Sequence, residues 1–259
     1  MLTTEFEEKI IELLEERPAP AKHSARAAIN HIKMAFKIES IDPEMAVFRA
    51  ICAEEEAATA IIKSLKRLKY PGAKSLNFRN HVHKSAIYPF VCAITRNLAQ
   101  LTEVIKDPKI VLNDELSPNG ETLVRIRYTL SFQNSFNNIE EKWAFPYPPL
   151  NFSFKYNGGE YNFANELNQI ANESSFNEIL TYIKKQANKR NEIIYAHTSG
   201  IPTVESMGDF LKHKKNIVFI LIIIYLIIDP YKEHQLFVNH AIKALLSMLN
   251  IMPNDVFNF

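Results

Sequence analysis

The stretch from Lys189 to His197 has the clearest chemical potential in this chain, because a cation, an amide and an imidazole lie close together in it. Arg190 carries a permanent charge on a planar guanidinium that suits phosphate, and His197 can exchange protons near neutral pH. Asn191 can orient an imidazole or bind a phosphate oxygen. These residue types together favour cleavage of a phosphodiester, in which one oxygen loses a proton and another gains one.

A predicted helix must position these groups. Apolar residues at helical spacing lead from Phe176 toward Arg190, and Gly200 and Pro202 favour an end to the helix near Ala196. On a regular helix Arg190 and His197, seven positions apart, would share one face about 10 Å apart along the axis. A helix that ends near residue 196 lets His197 fold back toward the guanidinium.

The bare arginine and histidine spacing is not specific, since Arg17 with His23 and Arg26 with His31 match it too. Of the three arginines, Arg190 alone is followed directly by an asparagine. A purely structural alternative stays open. In it Arg190 pairs with an acidic residue and the nearby histidine caps helix carbonyls.

A second group of polar residues combines the acidic run Glu54 to Glu56 with a basic, histidine-containing segment, Arg79 to Lys84. His81 and His83 would lie about 200° apart on a helix, so they could not both bind one ion on regular backbone. No Glu-x-x-His pair of the di-iron type occurs either, and the sequence predicts neither metal nor cofactor. We expect one of the glutamates to reach across the bundle to Arg79, His81 or Lys84, in a network beside an active cleft or on a solvated face.

Composition restricts the classes of protein that fit. The chain has 259 residues with 47% apolar content, and 30 lysines and arginines balance 29 acids. Any contact with nucleic acid must therefore come from a local cluster, and a histone-like coating role is excluded. The N-terminus lacks the basic start and apolar run of a secretory signal, and Cys52 and Cys92 suit reduced core thiols, so a cytoplasmic location is predicted.

One apolar run invites a membrane interpretation. Residues 217–228 are twelve apolar residues without a break. A bilayer span needs roughly 20 such residues, so a buried helix in the middle of a bundle fits the run better. No membrane partner is predicted.

The order of predicted elements is helical, then β-rich, then helical again. Alternating residues 123–132 predict a half-buried strand, and 151–156 a shorter one closed by a turn at 157–159. The connection 133–149 is predicted as loop. Helices are predicted over 4–16, 23–39, 42–69, 78–105 (kinked or split at Pro89), 176–196, 205–228 and 230–250. The fold class is mainly α with a small antiparallel β insertion, as one compact domain made of 1–107, 108–158 and 159–259.

Three segments resemble the HEPN superfamily, whose ribonucleases carry an arginine, usually a neighbouring polar residue, and a histidine after four to six further residues. Arg190, Asn191 and His197 match those positions. The first half of the chain resembles its abortive-infection, AbiV-like branch, through the acidic segment 53–60 and the segment 78–84. Together the matching regions cover about two thirds of the chain.

The resemblance implies a HEPN-like helical bundle that dimerises so that two motifs face each other. It also implies metal-independent endoribonuclease activity in phage defence or a toxin–antitoxin system, with RNA as substrate and an antitoxin or defence protein as a further partner. The alternative is a non-catalytic HEPN-like module that binds RNA, a nucleotide or a protein through the β insertion. The expected catalytic residues are Arg190, Asn191 and His197, and the expected supporting or substrate-binding residues are Tyr195, Glu55, Arg79, His81, His83 and Lys84.

Overall fold

The structure is a computed structural model that describes part of the chain, including both halves of the helical bundle. The predicted helix 176–196 and its motif lie almost entirely outside the described residues. The described residues are 3–98, 105–116, 120, 122–133, 139–144, 146–151, 155–156, 159–160, 181, 183–184 and 206–251.

The described part is mainly helical, with an antiparallel β insertion in the middle of the chain, which confirms the predicted fold class. Its sequence-local signals behave as expected: Asp42 caps a helix through the N–H of Met45, with Pro43 in the first position. The helices are α1 (Glu5–Glu15), α2 (Ala21–Ile38), α3 (Pro43–Arg67), α4 (His81–Leu98), α5 (Met207–Ile228) and α6 (Leu236–Met248), with a 3₁₀ turn at Ala73–Ser75.

Helix α3 lies at the centre of the described bundle and packs against α2, α4 and α5. Several fully buried alanines on α3 allow close approach of the neighbouring helices. The apolar run 217–228 belongs to α5 and is buried along most of its length, so the predicted buried helix is confirmed. None of the described helices is both long enough and apolar enough to cross a membrane.

The insertion contains β1 (Ile105–Leu116), β2 (Thr122–Gln133) and β3 (Ile139–Ala144), an antiparallel sheet in the order β1, β2, β3. A two-stranded ribbon, β4 (Lys155–Tyr156) and β5 (Gly159–Glu160), follows it. The predicted strand 123–132 is thus confirmed almost to the residue, and 155–156 confirms the end of the shorter one.

Two boundaries predicted on either side of the insertion are wrong. The helix expected over 78–105 begins at His81, and Ile105, its expected last residue, pairs with Leu130 in the sheet. The loop expected over 133–149 contains β3, a strand too polar to be recognised until β2 offers its edge. Helix α4 also passes through Pro89 without a break, so of the predicted kink or split the split does not occur.

The last helix begins at Leu236, six residues later than predicted. The buried Gln235 explains the delay, because its side chain accepts the N–H of Leu150 at 2.7 Å and donates to the carbonyl of Ile227 at 3.0 Å. These bonds hold the preceding segment in a non-helical, bent conformation, and a helix that began at residue 230 would break them. The insertion is attached nearby, where the hydroxyl of Tyr231 donates to the carbonyl of Val124 at 3.0 Å.

Candidate functional site

The acidic run of α3 divides its three carboxylates between different environments. Glu55 is 3% exposed and points into the bundle, beside the buried alanines of the same helix. Glu54 and Glu56 are only half-buried. Burial of an ionised carboxylate is costly unless charged or hydrogen-bonding partners surround it, so the partners of Glu55 define the centre of the candidate site.

Two residues from the first turn of α4 supply those partners. Nδ1 of His81 lies 2.9 Å from both carboxylate oxygens of Glu55, and Nζ of Lys84 donates to Oε2 at 2.8 Å. This is the contact across the bundle that the sequence led us to expect. Glu55 and Lys84 form a buried pair, whereas the side chain of His81 is 38% exposed and meets solvent.

The carboxylate selects the tautomer of the neutral imidazole. An ionised carboxylate only accepts hydrogen bonds, so Nδ1 of His81 must carry the proton that it shares with Glu55. In the neutral ring the lone pair then lies on Nε2, the nitrogen suited to accept a proton from a substrate. A carboxylate on one ring nitrogen also orients the ring, as it does in catalytic and metal-bound histidines.

Arg79 and His83 do not join this network. Nδ1 of His83 accepts the N–H of Asn77 at 2.9 Å, and the Arg79 guanidinium lies 5.9 Å from the centre of the Phe78 ring. Burial, and then the charge of Lys66, lower the pKa of His83. His81 and His83 thus contact different parts of the structure, as their angular separation on a helix predicts.

A cavity of about 270 Å³ adjoins Glu55 between α3, α4 and α5. Lys214 donates to Glu54 at its edge, and Tyr88 and His213 meet edge to face with ring centres 6.5 Å apart. One ammonium, two carboxylates and several aromatic rings around one concave space suit a polar, planar ligand. The lining residues are Ile51, Glu54, Glu55, Ser85, Tyr88, Pro89, Phe210, His213, Lys214 and Ile217.

Sequence reasoning missed the residues that complete this cavity. Ser85 and Tyr88 follow His81 at helical spacing, so the periodicity of α4 could have placed them beside it. His213 and Lys214 carried no such signal, because only the packing of α5 on α3 brings them to the acidic run.

The described residues hold no group of three or more histidine, cysteine, aspartate or glutamate side chains placed to bind a metal ion. At Glu55 the second oxygen is engaged by the ammonium of Lys84. Arg190, Asn191, Tyr195 and His197 lie outside the described residues, so their arrangement stays a prediction.

Comparisons of the chain with protein-family models, with curated proteins and with solved structures find no match. The function must therefore be argued from the residues and their geometry.

Proposed function

We propose that the protein is a metal-independent endoribonuclease, of the kind that acts in phage defence or toxin–antitoxin systems. The supporting observation is the Glu55–His81 pair, in which a buried carboxylate that lines a cavity also orients an imidazole. The sequence adds Arg190, Asn191 and His197, residue types suited to the remaining steps of phosphodiester cleavage.

The chemistry needs two proton transfers. Nε2 of His81 or of His197 takes the proton of a ribose 2′-hydroxyl, and the 2′-oxygen attacks the adjacent phosphorus. The bond from phosphorus to the 5′-oxygen breaks, and the other imidazole, in its protonated form, gives that oxygen a proton. The products are a 2′,3′-cyclic phosphate and a 5′-hydroxyl, and Arg190 stabilises the charge that develops on the phosphoryl oxygens.

The second imidazole can come from the same chain or from a second copy in a homodimer. Tyr195 is proposed to stack on a base, and Asn191 to orient His197 or to bind a phosphate oxygen. Requirement for a 2′-hydroxyl restricts this chemistry to RNA.

The cavity beside Glu55 favours one second candidate, a non-catalytic module that binds a nucleotide. Its volume of about 270 Å³ and its mixed lining of aromatic and charged groups suit a base with its sugar. In that case Glu55 and His81 would hold the ligand without proton transfer.

Incubation of the purified protein with single-stranded RNA in EDTA tests the proposal. We expect wild type to leave 2′,3′-cyclic phosphate ends, His197→Ala to abolish cleavage and His81→Ala to weaken it. His23→Ala is a matched control, because His23 is exposed and belongs to a similar spacing with Arg17. No cleavage by wild type, with RNA or nucleotide still retained, would support the binding module and overturn the enzyme.

A further inference from the structure

Positive charge is concentrated in one part of an otherwise balanced chain. From residue 57 through residue 102 the sequence has no aspartate or glutamate, yet it contains eight lysines and arginines. This segment covers the second half of α3, the 3₁₀ turn and α4. The cations are Lys63, Lys66, Arg67, Lys69, Lys74, Arg79, Lys84 and Arg96.

The fold gathers three of these cations around one aromatic ring. Nζ of Lys63 lies 5.5 Å from the centre of the Phe78 ring, Nζ of Lys66 lies 5.6 Å from it, and the guanidinium carbon of Arg79 lies 5.9 Å from it. Such distances allow attraction between each cation and the ring. We call Lys63, Lys66, Phe78 and Arg79 the Phe78 patch.

The hydrogen bonds of the patch lysines go to neutral acceptors. Lys63 donates to the hydroxyl of Ser24 at 2.8 Å, and Lys66 donates to the carbonyl of Lys74 at 3.3 Å. No described carboxylate forms an ion pair with a cation of the patch. Among the described residues, Glu55 therefore balances the charge of Lys84, whereas no carboxylate balances the charges of the patch.

Burial is the main cause of the pKa shifts around the patch, and the charge of Lys66 contributes to one of them. Burial lowers the pKa of Lys66. His83 lies in the same segment, and its pKa is lowered by burial and then by the charge of Lys66. A bound anion would oppose the repulsion between these groups.

We infer that the Phe78 patch binds the phosphate backbone of RNA. The choice of RNA rests on the proposed function, and the charge pattern favours a polyanion independently. The Phe78 ring is surrounded by cations and holds them close together. Their contacts to RNA phosphates would not depend on the base sequence. The segment 77–83 joins the patch directly to His81, which would place a bound strand beside the Glu55–His81 pair.

A lipid surface fits the patch less well. The exposed large apolar side chains among the described residues all lie elsewhere in the sequence, and a membrane-bound surface combines basic residues with such groups. These apolar residues are Phe6, Ile41, Met45, Ile110, Tyr147 and Ile220.

Binding to an oligoribonucleotide with 2′-O-methyl groups tests the inference, because the missing 2′-hydroxyl separates binding from cleavage. Fluorescence anisotropy over a salt series would compare the full chain with Lys63→Gln/Lys66→Gln/Arg79→Gln. We expect at least a tenfold loss of affinity at low salt. The slope of log K against log salt should become shallower by about 2, since each contact to a single strand contributes about 0.7.

The matched control is Lys33→Gln/Lys37→Gln/Lys232→Gln, which removes three exposed lysines outside the segment and should leave the slope unchanged. Arg79→Gln alone changes one exposed side chain and should reduce the slope by about 0.7 even if the triple variant folds poorly. A wild-type slope in the variants, or an equal loss in the control, overturns the inference. So does failure of wild type to bind, or patch-dependent binding to phosphatidylserine vesicles without binding to the oligonucleotide.

Failure of the two proposals can be told apart. If RNA binds through the patch but ordinary RNA is not cleaved, the proposed ribonuclease activity is wrong and the inferred RNA-binding patch is supported. If the triple variant binds and cleaves RNA as well as wild type, the inferred patch is wrong and the proposed ribonuclease activity is supported.

Discussion

Two buried carboxylates fasten α3 to other parts of the bundle, and they are used differently. Asp229 is 0% exposed at the end of α5, where it accepts a hydrogen bond from the Ser64 hydroxyl at 2.9 Å and pairs with Arg67. Glu55 is 3% exposed and pairs with His81 and Lys84 of α4. Both obey the same requirement, that a buried charge be paired and hydrogen-bonded.

The difference lies in the partners and in the adjacent space. The Asp229 partners, Ser64 and Arg67, lie one turn apart on α3, so this contact ties the end of one helix to another. Glu55 holds an imidazole and lines a cavity. A buried carboxylate is therefore not by itself a sign of function, whereas one that lines an open space and also orients an imidazole is a candidate site.

The largest effect is expected from Glu55→Ala. The change leaves the ammonium of Lys84 buried without its carboxylate, and removal of one partner of a buried pair typically costs about 3–5 kcal/mol of unfolding free energy. Urea unfolding measures the loss, and RNA cleavage should fall together with stability.

The double variant Glu55→Ala/Lys84→Met tests whether the buried, unpaired ammonium of Lys84 causes the loss of stability. The double variant should recover most of the lost stability but not the cleavage, since His81 still lacks its carboxylate. If Glu55→Ala is as stable as wild type, the buried pair of Glu55 and Lys84 does not stabilise the fold.

The next largest effect is expected from Asp229→Ala, about 3 kcal/mol of unfolding free energy. The Arg67 side chain is 33% exposed and can regain water, so the loss should be smaller than at Glu55. Cleavage per folded molecule, measured below the unfolding transition, should stay at the wild-type value. A loss of cleavage equal to that of Glu55→Ala would remove the distinction between the two carboxylates.

His81→Ala should affect activity more than stability. Loss of a proton-transferring imidazole typically lowers the rate about 10²-fold or more. Its side chain is 38% exposed, so we expect a loss of unfolding free energy of about 1 kcal/mol or less. Single-turnover cleavage measures the rate, and urea unfolding measures the stability. If His81→Ala cleaves RNA at the wild-type rate, His81 has only a structural role.

The smallest effect concerns His83 and acid. Burial and Lys66 lower its pKa below the usual 6.5, so below that pH the unfolded chain binds more protons than the folded one. Stability should fall as the pH drops from 7.5 through 6.5 toward the folded-state pKa. The fall should be shallower in His83→Gln than in wild type, with His23→Gln as the unaffected control. Equal pH profiles of wild type and His83→Gln would contradict the burial of the imidazole.

Local signals were sufficient for several elements. Asp42 and Pro43 start α3 because capping depends on neighbouring residues alone, and the alternation of β2 was clear because one face of that strand meets the core. The polar strand β3 and the non-helical segment held by Gln235 could not be found in this way. Both depend on hydrogen-bond partners that are distant in sequence.

The sequence by itself determined that the protein is mainly helical, that its middle forms an antiparallel insertion, and that an acidic run and a histidine-rich segment belong to different helices. It could not show which of three consecutive glutamates is buried, because consecutive residues on a helix point about 100° apart and all three are equally acidic. Packing of α3 against α4 and α5 selected Glu55 and supplied His213 and Lys214. The partners of a buried charge are decided by the tertiary structure, because the groups that stabilise the charge come close to it only in the folded chain.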